Sequence, residues 1–280
     1  MIAGTLCAGT ASYAQLDTFG QNDKIADLPE QFHCKNAAVF KLVKTGLFYE
    51  GRDLDAKALT YFNEALRVDP KCADALFYRG NVYSGADQYK KAIEDYTAAI
   101  TIAPAAAMYM KRALAYTAIF DLHKAITDMD QVLKLNPHNI GALQFRAKCF
   151  GKLKMNADAL KDQSECIALQ PRAPFFYYTR ATTYKAMHQY QKAADDYSTI
   201  IKSMADDDEA YARRAECQVL LGKYDAAISD LTKVIKIDPK GARPYLLERA
   251  SVYEKINKHS LALQDRVSAG QVHGHEGYLP

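Results

Sequence analysis

The sequence predicts an all-α fold made of about seven helix-turn-helix repeats. Three observations predict it: prolines at a fixed spacing, apolar residues at helical period around short polar turns, and small residues recurring in phase. Pro70, Pro104, Pro137, Pro171 and Pro239 stand 34, 33, 34 and 68 residues apart, and the last interval is twice the first. Aligned on them, the chain divides into repeats starting near Val39, Ala73, Ala106, Ile140, Pro174, Asp208 and Arg243. A period of this size marks an array of stacked supersecondary elements.

Within a repeat the pattern is helix, turn, helix. The second shows it best: ADALFYRGNVYSGADQYKKAIEDYTAAITIAP carries apolar residues at three- and four-residue spacing on both sides of Ser84-Gly85-Ala86-Asp87. The closing proline lacks a backbone donor and pushes the preceding residue out of the α region, so it ends the second helix. Ala205 stands where the fifth proline would be, and the turn Gly51-Arg52-Asp53-Leu54-Asp55 leaves a two-residue ambiguity in the first repeat.

Small residues recur at repeat position 8 (Gly46, Gly80, Ala113, Ala147, Ala181, Ala215, Ala250) and position 20 (Ala58, Ala92, Ala125, Ala159, Ala193, Ala227, Ala262). Facing each other, they let paired helices approach closely. Position 11 is aromatic in every repeat but the sixth, where Gln218 stands, and position 24 is mostly large: Phe62, Tyr96, Met129, Gln163, Tyr197, Leu231 and Arg266. Both sets are expected to fill the space between neighbouring repeats. Four or five large apolar side chains cannot offset the entropy of ordering one repeat, so the repeats must stack. Arg266 fits this logic, because no later repeat exists to bury it.

A second series is charged. Position 7 holds Arg79, Arg112, Arg146, Arg180, Arg214 and Arg249, and position 23 holds Asp95, Asp128, Asp162, Asp196, Asp230 and Asp265. The first repeat lacks both. Pairing between adjacent repeats would strand one partner at an array end, whereas pairing within a repeat strands none. Six intra-repeat Arg–Asp pairs are therefore expected; two independent solvated rows are the alternative.

Position 8 and 20 small, position 11 aromatic and position 32 proline resemble the tetratricopeptide repeat family, over residues 39 to about 270. The resemblance implies a right-handed superhelical α-solenoid that binds another protein or a peptide in a groove lined by each repeat's first helix. It places positions 2, 5, 6, 9, 12 and 13 in that groove. Here these include Phe77, Tyr78, Asn81, Met110, Lys111, Gln144, Phe145, Lys148, Phe175, Tyr178, Lys185 and Arg213. Exposed aromatics are typical interface anchors, and with the cations they suggest a partner that is apolar and partly acidic. Some of them could instead pack against the next helix. Family members that clamp a chaperone's terminal carboxylate use Lys and Asn at positions where this chain has Phe77, Tyr78, Gly141 and Phe145. Asn81 and Lys111 sit at positions 9 and 6 of neighbouring repeats and the rest of the pattern is missing, so a chaperone tail is not expected.

The remaining features exclude rather than propose. The 280 residues are 49% hydrophobic and carry a net charge of +3, with no Lys/Arg stripe, which argues against nucleic acid. No stretch reaches the ~20 apolar residues of a membrane span. The histidines, His33, His123, His138, His188, His259, His273 and His275, fall mostly in turns and tails and form no ligand set. No Gly-rich phosphate loop appears. No catalysis, metal or cofactor is therefore expected. The chain reads as a binding scaffold, with a self-assembling structural subunit or an accessory to an enzyme or secretion complex as the alternatives.

Cys7, Cys34, Cys72, Cys149, Cys166 and Cys217 lack a CxxC pair and are expected to be free, small apolar side chains. Residues 1–38 are read as an N-terminal segment and 271–280 as a tail. Met1 to Ala14 is small, apolar and uncharged and ends in Ser12-Tyr13-Ala14, which resembles a signal-peptide cleavage site without its basic leader. Export is the preferred reading over an ordinary terminus.

Overall fold

The computed structural model describes residues 36–270. Among them are fourteen helices and no strand, and consecutive helices pair into seven repeats. The pairs are α1 (Ala37–Glu50) with α2 (Asp55–Val68) and α3 (Ala73–Gly85) with α4 (Tyr89–Ile102); in the third repeat α5 (Ala106–Ala118) is followed in the chain by α6 (Leu122–Leu135). Then follow α7 (Ile140–Lys152) with α8 (Asn156–Leu169), and α9 (Pro174–Ala186) with α10 (Tyr190–Ser203). The last are α11 (Asp208–Leu220) with α12 (Tyr224–Ile237), and α13 (Arg243–Lys255) with α14 (His259–Ser268). The fold is all-α. The chain divides into two compact halves, through Lys124 and from Ala125, with the division inside α6. The leader-like residues 1–14, Cys7, Cys34, His33, His273 and His275 lie outside the described residues.

Each turn inside a repeat has the same construction. One residue takes the left-handed conformation: Asp53, Asp87, Phe120, Lys154, His188, Gly222 and Asn257 in order. The next residue's amide then donates five residues back, as Gln88 to the Tyr83 carbonyl (2.8 Å) and Lys223 to that of Gln218 (2.8 Å). This is a Schellman closure, which satisfies a carbonyl the helix end would leave free. In the first repeat Leu54 donates to Tyr49 (3.1 Å). The ambiguous register therefore resolves with Tyr49 in the role of Tyr83.

The break between repeats does not depend on proline alone. Asp69, Ala103, Gln170 and Asp238 precede a proline and are extended. Met204 precedes Ala205 yet adopts the same geometry (φ −135°, ψ 85°). Asn36, Asn139 and Asp207 cap α1, α7 and α11 through side-chain oxygens.

Packing follows the small residues, with a refinement. Ala58, Ala92, Ala193 and Ala227 are fully buried. In the N-terminal half, however, the position 8 glycines meet the position 24 rings of their own repeats. A Cβ on Gly46 would lie 2.5 Å from Phe62, and one on Gly80 would lie 2.7 Å from Tyr96. The position 24 residues Phe62, Tyr96, Met129, Tyr197 and Leu231 are buried, as inter-helix fillers should be. Gln163 is accommodated by donating to Thr183 Oγ1 (3.0 Å) on the next first helix. Arg266 stays at the surface and pairs with Glu254 (3.1 Å).

Position 11 behaves differently from the expectation that it fills space between repeats. Its rings are only half-buried, and those of Tyr83, Tyr116 and Tyr184 each have two cations within reach. Tyr83 has Arg79 5.9 Å and Lys91 5.3 Å from its centroid, and Tyr184 has Arg180 at 5.8 Å and Lys192 at 5.5 Å. These distances are within cation–π range. The ring covers the guanidinium's plane, and the lysine snorkels along the other side.

Candidate interaction surface

The position 7 arginines lie on first helices, beside the second helix of their own repeat. Arg79 grips Asp95 bidentately through Nε (2.8 Å) and Nη2 (2.7 Å). Arg146 holds Asp162, Arg180 holds Asp196, Arg214 holds Asp230 and Arg249 holds Asp265 in the same way. Hydrogen bonding to the aspartate raises the pKa of each of these guanidinium groups, so they remain charged. The carboxylates are buried, and the planar fork is what makes such a site satisfiable.

The fork has a third donor, and it reaches the preceding repeat. Nη1 of Arg79 donates to Asn63, that of Arg112 to Thr97 (3.0 Å) and that of Arg146 to Asp130. Arg180 reaches Ser164, Arg214 reaches Ser198 and Arg249 reaches Thr232 (2.7 Å). All six acceptors occupy repeat position 25. The last repeat has Val267 there, and no arginine follows it. The arginine is thus both an intra-repeat brace and an inter-repeat tie. The polar series at position 25 was present in the sequence, but it is chemically mixed (Asn, Thr, Asp, Ser) and becomes visible only when aligned against the arginine one repeat later.

The groove residues inferred from the resemblance fall into three groups. Phe77 and Tyr78 are core residues, 6% and 5% exposed, with Tyr78 stacked on Phe62 and Phe77 against Tyr96. They offer a partner almost no surface, which corrects their reading as exposed anchors. Others are committed to structural bonds. Asn81 accepts from the Tyr96 hydroxyl (2.8 Å), Tyr178 donates to Asp207 (2.5 Å), Lys185 pairs with Glu216 (2.5 Å), and Arg213 pairs with Glu209 (3.3 Å). Burial and the Asp207 contact both raise the Tyr178 hydroxyl pKa, so it stays protonated as donor. The third group is open: Met110, Gln144 and Phe145 are half-exposed, while Lys148 and Phe175 are exposed. Lys111, half-exposed, and Lys148 make no hydrogen bond or ion pair among the described residues.

Two site residues escaped the sequence reading. Positions 9 and 6 of the last two repeats are Glu216 and Glu248, and both lie on first helices. The selection at groove positions took aromatic, apolar, amide and cationic residues and passed over acidic ones.

The cysteines require a correction. Cys149, Cys166 and Cys217 are free and buried, and burial raises the Cys166 and Cys217 thiols to about 11. Cys72, at the N-terminal cap of α3, is disulfide-bonded, and its partner lies outside the described residues. Spacing alone cannot give a pairing, because it depends on which side chains the fold brings within reach. Among the described residues no helix is long and apolar enough to cross a membrane, and no group of metal-ligating side chains occurs.

Paired helices bound by left-handed turns, small residues at their crossing and a large residue toward the next pair define a helical-repeat protein. Family models described as tetratricopeptide repeat match residues 73–105, 106–139 and 178–242, so the chain carries tetratricopeptide repeats over those residues. It is similar to the DnaJ homolog subfamily C member 7 homolog of Schizosaccharomyces pombe, 30% identical over 53% of this chain and 36% of that one. It is also 27% identical to serine/threonine-protein phosphatase 5 of Rattus norvegicus, over 71% of this chain and 30% of that one. The chain therefore spans about a third of the length of these relatives. Among solved structures, a tetratricopeptide repeat protein of Parabacteroides merdae matches 86% of this chain and 95% of its own, with TM-score 0.58 and 19% identity. The C-terminal part of a TPR repeat-containing protein from Cytophaga hutchinsonii matches 83% and 96%, with TM-score 0.68 and 14% identity. At these identities the structures share the fold.

Proposed function

We propose that the chain binds a peptide or protein segment on the exposed faces of its first helices, and that it catalyses no reaction. Proteins of this family bind other proteins, which is the general part of the reading. The specific part rests on one observation: Lys111 and Lys148 stand on first-helix faces, beside Met110 and Phe145, with no bond that the fold requires. A cation without a structural partner next to apolar surface suits a segment with an apolar residue and a carboxylate. Lys185 and Arg213 do not add to this preference, since Glu216 and Glu209 already neutralise them.

The test is selection of peptides from a displayed random library against the pure protein, followed by anisotropy titration of a selected peptide. Lys111→Glu with Lys148→Glu should abolish binding of a peptide whose carboxylate the selection enriches. Equal affinity in wild type and variant would contradict the reading.

Self-association is a second reading, favoured by one observation: α14 exposes Leu261, Leu263 and Val267. Sedimentation equilibrium separates the two, since a monomer at micromolar concentration leaves that face to another partner.

The bonded state of Cys72 supports an oxidising compartment, because such bonds persist outside the reducing cytosol. Native alkylation followed by mass spectrometry tests this. Cys72 should resist alkylation until reductant is added. Cys166 and Cys217 should resist it near pH 8 for a different reason, being buried thiols. Cys72 labelled without reductant in protein from its native source would overturn the compartment assignment.

A further inference from the structure

Within the C-terminal half, the first-helix face changes character along the chain. On α7 it presents Lys148 and Lys152, both exposed. On α9, α11 and α13 it presents a row in which Lys185 is followed by Glu216 and then Glu248. Lys185 Nζ lies 2.5 Å from Glu216 Oε2, so the single cation is taken. Glu248 is half-buried and has no hydrogen bond or ion pair among the described residues. The surroundings add more negative charge: Asp207, Asp208 and Glu209 lie at the start of α11, where Arg213 pairs with Glu209.

Burial and the Glu216 charge both raise the Glu248 pKa, while Lys185 lowers it. A carboxylate half-removed from water, beside a second carboxylate and without a donor, is a costly arrangement that the fold itself does not need. The aspartates at position 23 show what this chain does with a structural carboxylate: Asp95, Asp162, Asp196, Asp230 and Asp265 are each given a bidentate arginine. Glu248 receives none. Apolar surface flanks the row, with Phe175 exposed on α9 and Tyr245 half-buried on α13.

We infer that the face of α9, α11 and α13 takes a peptide segment carrying a lysine or arginine next to an apolar residue, with that cation placed between Glu216 and Glu248. The inference rests on the proposed peptide-binding role of the same faces and names the partner's chemistry at their C-terminal end. A basic side chain there completes an alternating row of charges, whereas an acidic one would face two carboxylates at once. Combined with the lysines on α7, this gives the bound segment a direction: its acidic end toward α7 and its basic end toward α13.

The test uses the full chain and three fluorescein-labelled dodecapeptides with one apolar frame, carrying at the same two positions lysine, glutamine or glutamate. The lysine peptide should bind about tenfold tighter than the glutamine one, the size of effect one charge-assisted bond gives. Glu248→Gln, isosteric and therefore fold-preserving, should remove most of that preference, and circular dichroism checks its fold. Glu94→Gln, an exposed acid on α4, should leave it unchanged. Rising salt should weaken the lysine peptide most. Tighter binding of the glutamate peptide, or a preference for lysine unaffected by Glu248→Gln, would overturn this inference and leave peptide binding intact. No binding of any of the three would overturn both.

Discussion

Helix α3 and the later first helices α11 and α13 use the same repeat positions for opposite purposes. At positions 5 and 6 of α3 in the N-terminal half stand Phe77 and Tyr78, and both are buried. At positions 5 and 6 of α11 and α13 in the C-terminal half stand Ala212, Arg213, Leu247 and Glu248, none of which is buried. The position 8 residues differ in parallel. Gly46 and Gly80 admit the rings of Phe62 and Tyr96; Phe62 in turn stacks on Tyr78, and Tyr96 packs at a tilt against Phe77. In the C-terminal half position 8 is alanine throughout. The lesson is that a repeat position fixes direction but not exposure. The volume of the neighbouring side chains decides whether a face becomes core or remains open to a partner.

Substitutions at four kinds of site probe this comparison. The largest effect is expected at what the halves share. Arg214→Ala leaves Asp230 buried without its fork, and breaking such a pair costs about 3 kcal/mol or more. The midpoint of thermal unfolding should fall by about 6–12 °C. Arg214→Met with Asp230→Leu should recover most of that loss, because no charge is then stranded. Thr232→Val removes only the acceptor of the third donor of Arg249 and should cost about 1 kcal/mol.

Next is the glycine contrast. Gly80→Ala should destabilise by about 1–3 kcal/mol, because the added methyl meets the rigid Tyr96 ring despite the gain in helix propensity. Ala215→Gly in the C-terminal half should destabilise as well, by about 1 kcal/mol, through propensity alone. Urea unfolding of both variants measures the difference. If Gly80→Ala were stabilising, the coupling between position 8 and the aromatic core would be wrong.

Phe120 is a smaller, opposite effect. It occupies the left-handed turn slot at φ 62°, where the other repeats use Asp, Lys, His, Gly or Asn, and it is 83% exposed. A bulky side chain gains nothing there and strains the backbone. Phe120→Asn should stabilise by up to about 1 kcal/mol. The smallest effect is at Glu248, which faces Glu216 and Lys185. Its pKa is raised in the fold, so the folded state loses stability as pH rises from the ordinary carboxylate range through the raised value. Glu248→Gln should therefore raise the thermal midpoint slightly at neutral pH and not in acid, where Glu248 is protonated in both states.

Much of this was legible in the sequence for a physical reason: repetition multiplies weak signals. One helix-turn-helix pattern could arise by chance, but prolines, alanines and arginines in phase over the array could not. The left-handed turn residues were not legible, since Asp, Phe, Lys, His, Gly and Asn share no chemistry beyond their slot. Neither was the burial of Phe77 and Tyr78, which depends on ring packing by Phe62 and Tyr96 from two different repeats. The disulfide at Cys72 was hidden for the same reason, as a contact distant in sequence. Glu216 and Glu248 could have been found by taking every residue at positions 6 and 9 regardless of its charge.

The most direct test of the account is to locate where a peptide lands. A library-selected peptide carrying a photoactivatable phenylalanine analogue can be cross-linked to the full chain and the adducts mapped by mass spectrometry. The open-face account predicts adducts on α5, α7, α9, α11 or α13, near Met110, Phe145, Phe175 or Tyr245. Adducts confined to α3, around Phe77 and Tyr78, would contradict it.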